Sequence, residues 1–337
     1  MKKLLRNKAW GLLLLPAVLM MSSYKKNDVW SFAVISDTQG SHEIEDCINT
    51  PVLEKIAADI VKEKPEIVLV LGDLVNGWIR NYGKDYKDQY AEWKSLMKPV
   101  YDAKIEVYPI RGNHDDGPER FVLKPLPAKL EPKPGSLEKL RKAYRDAFKE
   151  YTYIPLNGPK GEEGYEYSFE HKNAFFIGMD LYNSGQHRVN QDWVANELAK
   201  NKQQHVFIYG HEPAFELIHA DNLSYYPDER DLFWDTIGKA GCRLYFCGHD
   251  HVYNRSLIPD SSGNKIRQLV AGTGGGKLRK WDGVYKNKRV KGEYHNQDFH
   301  GYAIVTVDGA KVTVNWKALN ESNGSWKLMD SFSYSSN

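Results

Sequence analysis

Five times in this 337-residue chain a short apolar run is followed, within three residues, by a side chain able to bind a metal ion. The runs are Trp30 to Ile35, Ile67 to Leu71, Ile105 to Ile110, Val206 to Tyr209 and Leu244 to Cys247. The side chains after them are Asp37, Asp73, Asn113, His211, and His249 with His251. Runs this short, rich in Val, Ile, Phe and Tyr, read as buried strands, as does a sixth from Ala174 to Met179. Between them, residues 52–62, 88–102, 191–200 and 232–239 carry apolar residues at helical spacing, so the order is largely β, α, β, α, the pattern of an α/β fold. Open α/β sheets place their sites at the carboxyl ends of strands, which is where these side chains fall. Taken singly, each is an ordinary turn former, cap or satisfied histidine; recurrence at five strand ends is what those readings leave unexplained. Glycine precedes the ligand-type residue at Gly72, Gly112, Gly210 and Gly248, where the chain must turn sharply out of the sheet.

The flanks divide the rest of the chain. Residues 1–8 are basic, 10–21 apolar and 22–23 small and polar, the layout of a secretory signal over 1–23. Its apolar run is shorter than the roughly 20 residues a membrane span needs, so no stable membrane anchor is expected. The expected mature chain, 24–337, is one domain, periplasmic or secreted. Five prolines between Gly117 and Pro134 deny a regular element before a helix over about 137–150, so 117–150 reads as a lid or insertion. After Gly301 the spacing turns to period two, predicting a closing β-meander over 302–334. Without the four cations of the signal, Lys plus Arg is 42 against 44 acids, which offers no push toward nucleic acid. Three cysteines, Cys47, Cys242 and Cys247, are too few and scattered for a disulfide framework and are expected to be free.

The segments Ser36-Asp37-Thr38-Gln39, Gly72-Asp73, Gly112-Asn113-His114-Asp115, Gly210-His211 and Gly248-His249-Asp250-His251, in that order, resemble the calcineurin-like metallophosphoesterase family. The resemblance runs from about Trp30 to Val307. Gly248 to Arg255 and the glycines of 272–276 look like its purple acid phosphatase branch, but the metal-binding tyrosine of that branch would fall at Asn76. The resemblance implies two packed mixed β-sheets flanked by helices, a four-layer αββα sandwich. It also implies two divalent or trivalent metal ions, which the oxygen and imidazole donors suit as Mn, Fe, Zn or Mg. Asp73 would bridge them, Asp37 and His251 would bind the first, and Asn113, His211 and His249 the second. Gln39 stands where the family usually has a histidine ligand, and its carbonyl is a weaker donor than imidazole. A metal-bound hydroxide would be the nucleophile and His114 the general acid or phosphate-stabilising residue. Asp115 either orients that imidazole or caps the loop.

The implied reaction is hydrolysis of a small-molecule phosphate ester, monoester or diester; the alternative is a metal-containing binding module for a phosphorylated ligand or protein partner. Arg255, Lys277 and His300 are candidate substrate contacts. Lys277 opens a segment to Lys291 holding seven cations and one acid, Asp282, a segment that reads equally as a solvated loop. The stretch AGTGGGK before it lacks the residues of a phosphate-binding P-loop, and its glycines read as letting backbone pass close to the metal site. Oligomeric state stays open.

Overall fold

A computed structural model describes residues 29–40, 46–77, 84–116, 136–182 and 185–336. The signal expected over 1–23 and the proline-rich part of the lid, 117–135, lie outside the described residues.

Among the described residues, thirteen strands form two mixed sheets. The first has the order β13-β12-β11-β1-β2-β3, from β1 (Trp30–Ile35), β2 (Ile67–Val70), β3 (Glu106–Pro109), β11 (Gly301–Asp308), β12 (Lys311–Asn320) and β13 (Ser325–Ser335). The second has the order β10-β8-β9-β7-β6-β5-β4, from β4 (Tyr167–His171), β5 (Ala174–Gly178), β6 (His205–Tyr209), β7 (Leu244–Cys247), β8 (Tyr253–Pro259), β9 (Lys265–Ala271) and β10 (Lys291–Asn296). β1, β2 and β3 run parallel in the first sheet, and β5, β6, β7 and β9 in the second. The predicted meander is β11 to β13, paired antiparallel.

Aromatic rings fill the space between the sheets. Phe32 of β1 meets Phe176, Phe207 and Phe246 of the second sheet edge-on at centroid distances of 5.4, 5.0 and 6.0 Å, and Tyr253 stacks on Trp316 at 4.4 Å. Each such pair adds about 0.5–1.5 kcal/mol beyond its buried area and fixes the sheets against each other. Helices Gln191–Lys200 and Pro227–Lys239 bury Val194, Leu198, Phe233, Trp234 and Ile237 against the second sheet. Beside the first sheet, Thr50–Glu63 carries Pro51 in its first turn, where a missing N–H costs nothing, and ends on Lys64 in a left-handed conformation whose N–H returns to Ile60. Tyr86–Leu96 is capped by Asp85, and its buried Tyr90 and Trp93 pack on Tyr144 and Phe148 of helix Ser136–Phe148. That last helix is the described part of the predicted lid.

Four strands escaped the sequence reading: β4, β8, β9 and β10. β8 shows why. It is buried over most of its length yet carries Asn254 and Arg255, so neither alternation nor an apolar run marks it. All three cysteines are buried and unpaired.

Candidate metal centre

The parallel strands of both sheets end at one edge of the sandwich, and the loops leaving β1, β2, β3, β6 and β7 meet there. Asp37 N–H donates to Gly72 O (3.1 Å), Gln39 N–H to Asp73 O (3.2 Å), and Gly248 N–H to His211 O (2.8 Å). These bonds tie the loops to one another before any side chain is considered. The turns demand unusual backbone: Gly72 has φ 95°, and Asp37, Asp73 and His249 have φ 56°, 51° and 68°. A left-handed conformation costs a non-glycine residue about 1 kcal/mol or more and persists where function needs the side chain placed there. A Cβ on Gly112 would fall 2.1 Å from Asp73 Oδ1, so only glycine lets that loop pass.

The side chains form two groups with Asp73 between them. On one side Asn113 Oδ1 lies 3.1 Å from His211 Nε2 and 3.0 Å from His249 Nδ1. On the other, Asp37 Oδ1 lies 3.5 Å from His251 Nε2. Asp73 Oδ2 reaches His211 Nε2 at 3.4 Å and accepts from Gln39 Nε2 at 2.9 Å, while Gln39 Nε2 is also 3.2 Å from His251 Nε2. Donor atoms of Asp37, Asp73 and His211 all lie within 4.8 Å of one another. Two of the imidazoles are held from behind by a backbone carbonyl, and the third has a carboxylate within ion-pair distance. His211 Nδ1 bonds Leu71 O (2.8 Å), His251 Nδ1 bonds Lys277 O (2.9 Å), and Asp221 Oδ1 stands 3.5 Å from His249 Nε2. Such outer contacts fix the tautomer and aim the other ring nitrogen.

These residues fit a pair of cations. Gln39 Oε1 is buried without a hydrogen-bond partner, an unusual cost for a carbonyl oxygen and one that a cation would relieve. In the protein alone, imidazolium must balance the carboxylates. Burial pulls His211 down, but Asp73 outweighs it and raises it to about 10; burial likewise opposes Asp221, which raises His249 to about 9. Asp73 is pushed up by burial and yet held well below the usual carboxylate range by His211 and His114. Divalent ions would supply that positive charge and leave the imidazoles neutral, as ligands. No thiolate belongs to the group, which suits hard or borderline metals.

The other expected site residues fall differently. His114 donates its backbone N–H to Asp73 Oδ1 (2.8 Å), its Nδ1 lies 2.7 Å from Asn76 O, and its Nε2 stands 4.0 Å from Asp73 Oδ2. The ring is partly exposed and faces the site without belonging to either group. Asp115 does not contact it. The Asp115 carboxylate accepts from Gly112 N (2.9 Å), Leu74 N (3.2 Å) and Tyr90 OH (3.0 Å), so it acts as the loop cap, and Asn76 orients the imidazole instead. Burial and the Asp73 charge push Asp115 up to about 7. Arg255 is committed elsewhere: its guanidinium holds Asp330 at 2.9 and 3.0 Å and Glu293 at 2.5 Å, and lies over the Phe332 ring. That placement moves it from substrate contact to a clamp between β8 and β13. Lys277 is exposed at the mouth. His300 braces the glycine run, with Nε2 3.1 Å from Gly276 O and Nδ1 2.7 Å from Glu321. The run itself passes against the site, with Gly276 N–H on Asp37 O (2.7 Å) and Gly274 N–H on Ser36 O (2.9 Å).

Three contributors had no sequence signal strong enough to find them. Asn76 acts through its carbonyl, which any residue possesses. Asp221 and His219 lie in an irregular loop after β6; His219 Nδ1 is 2.7 Å from Asp250 Oδ1, and its ring centroid is 4.9 Å from that of His249. Only a histidine eight residues after His211 would have hinted at them.

A family model for calcineurin-like phosphoesterases matches residues 31–253. No curated protein matches the chain. Among solved structures, the chain is similar to a purple acid phosphatase from yellow lupin (Lupinus luteus), with 17% identity and a TM-score of 0.66, covering 92% of this chain and 54% of that one. It is similar to PhoD at 16% identity and TM-score 0.64, covering 92% and 70%. A dimetal phosphatase from Danio rerio matches at 15% identity and TM-score 0.57, covering 91% and 99%. The chain thus spans about half the length of the lupin enzyme, and these likenesses establish the shared sandwich.

Proposed function

The chain belongs to the calcineurin-like phosphoesterase family, and from that premise we propose that it hydrolyses small phosphate esters, monoesters or diesters, with a dinuclear metal centre. The observation that carries this reading is the position of Asp73, one of whose carboxylate oxygens meets both the His211 side and the Gln39–His251 side of the group. Asp37 and His251 would hold one ion, Asn113, His211 and His249 the other, and Asp73 both. When bound, the pair would clamp phosphate oxygens and acidify a water. His114, on the open side and oriented by Asn76, would protonate the leaving oxygen or steady the phosphate. Asp115 keeps the His114 loop against Leu74, and the glycines of 272–276 admit backbone beside His251. Gln39 would serve the first ion by turning its amide over, which brings the unpaired Oε1 to the side now taken by Nε2.

The same proposal treats 24–337 as one catalytic domain exported from the cytoplasm, resting on the leader-like segment 1–23. Among the described residues no helix is long and apolar enough to cross a membrane.

The test is hydrolysis of aryl phosphate mono- and diesters by metal-stripped protein resupplied with Mn²⁺, Fe²⁺, Zn²⁺ or Mg²⁺. Metal-dependent turnover is expected, with the preferred ester naming the subclass. One observation favours a second reading, a phosphate-binding module: the Gln39 amide hydrogens occupy Asp73 where an imidazole lone pair would otherwise point. Tight phosphate binding with no turnover under any metal would select it.

A further inference from the structure

The two rims of the site differ in charge. His249 and His251 leave one loop two residues apart, yet each has its own neighbour. Beside His249 stands Asp221, whose side chain is 40% exposed. Beside His251 the chain is basic. Lys277 O lies 2.9 Å from His251 Nδ1 and Arg279 N–H donates to His251 O at 3.1 Å, so the backbone of 277–279 is bonded directly to a candidate ligand. The segment that starts there is held in place. Trp281 N–H donates to Gln297 Oε1 at 2.8 Å, and the Trp281 ring packs between Tyr285 and His295, each at a centroid distance of 4.7 Å.

Within this segment Lys280 pairs with Asp298, and Arg289 with Asp231. Arg279, Lys286, Lys288 and Lys291 are exposed, and among the described residues none has an acidic partner. Four unbalanced cations on one ordered segment repel one another and raise the local concentration of anions. Arg279 is the one bonded through its backbone to the metal-site loop. Its planar fork of donors matches phosphate geometry.

We propose that the substrate carries a second phosphate next to the scissile one and that Arg279 receives it. This rests on the metal centre of the proposed function and extends its substrates from phosphate esters to a phosphoanhydride. The class is a phosphoanhydride, whose terminal phosphate would lie at the ligand group and whose neighbouring phosphate would lie on the His251 rim, away from Asp221. Hydrolysis forms a bond from the water oxygen to the terminal phosphorus and breaks the bond to the bridging oxygen. That oxygen leaves with the remaining phosphate, and the two products share the protons of the water.

The test uses ligands that cannot be hydrolysed. Binding of methylenediphosphonate and of methylphosphonate to the Mn²⁺-loaded protein is measured by calorimetry in the wild type, in Arg279→Glu, in Arg279→Gln and in Lys327→Glu, an exposed lysine of β13 serving as the control for net charge. The expected preference for the diphosphonate is at least tenfold in the wild type, falls severalfold in Arg279→Gln, vanishes in Arg279→Glu and persists in Lys327→Glu. Chelation of free Mn²⁺ is common to all four proteins and cancels in the comparison. Tighter binding of α,β-methylene-ADP than of methylenediphosphonate would identify a nucleotide as the source of the second phosphate, and equal binding an inorganic one. A wild-type preference near one, or one that survives Arg279→Glu, overturns the proposal. A protein that keeps the preference but hydrolyses no ester overturns the proposed function and leaves this site standing.

Discussion

His114 contributes to the site through two separable parts. Its backbone N–H supports Asp73, and its ring, aimed by Asn76, faces the open side. Substitution His114→Ala keeps the first and removes the second. It should lower kcat about 10²–10⁴-fold while the bound Mn²⁺ per chain stays at the wild-type value; metal lost in parallel would mean that the ring is a ligand. Gln39→His should do the opposite, raising Mn²⁺ affinity at least tenfold in calorimetry, because an imidazole lone pair replaces an amide that now donates to Asp73. Away from the site, Glu166 is buried with one carboxylate oxygen unpaired and the other accepting from Asn190. Burial, with Asp180 and Glu162 nearby, pushes it well above the ordinary glutamate value of 4.5. The native state therefore holds a proton that the unfolded chain releases, and stability falls as pH rises from about 4.5 toward the folded pKa. Glu166→Gln should raise Tm above wild type at pH 8 and not at pH 4; an equal gain at both would point to packing instead.

At the scale of elements, the strand-to-loop turns carry the site. Gly248 closes β7 against β1, and a Cβ there would fall 2.0 Å from Ser36 Oγ and 2.2 Å from Asp37 Oδ2. Gly248→Ala must push apart the two loops that hold Asp37 and His249. A loss of about 1–3 kcal/mol in urea unfolding is expected, together with weakened Mn²⁺ binding. Stability lost with metal affinity unchanged would place the ligand group elsewhere. The strands before these turns were legible because each is a buried apolar run, and helix 191–200 and residues 232–239 of the helix Pro227–Lys239 because their buried faces repeat at helical spacing. β8 was not, since its polar residues are satisfied by partners far along the chain: Arg255 by Asp330 and Glu293, Tyr253 by Asp330. Local sequence cannot register a partner 75 residues away.

For the whole molecule, the candidate ligands come from both sheets: Asp37, Asp73 and Asn113 from loops of the first, His211, His249 and His251 from loops of the second. Cations bound at the junction would therefore link the two halves of the sandwich. Mn²⁺ at about a hundredfold over its Kd should stabilise the protein by about 2.7 kcal/mol, read as a rise in Tm, and Asp73→Asn should abolish most of that rise. A shift that persists in Asp73→Asn would mean that binding does not run through the bridging carboxylate.

The candidate donor residues were determined by the sequence alone. An Asp, Asn or His placed directly after a buried apolar run is a local fact, written in neighbouring residues, and its recurrence five times marks both the strand ends and the candidate donors. What Asp115, Arg255 and Asn76 do was decided only by the tertiary structure. Asp115 turns toward Tyr90 because a buried carboxylate takes the donors within reach, Gly112 and Leu74 among them. Arg255 is drawn to Asp330 because β8 and β13 face each other across the sandwich. Asn76 acts through a carbonyl common to every residue, whose role comes from position and not from identity.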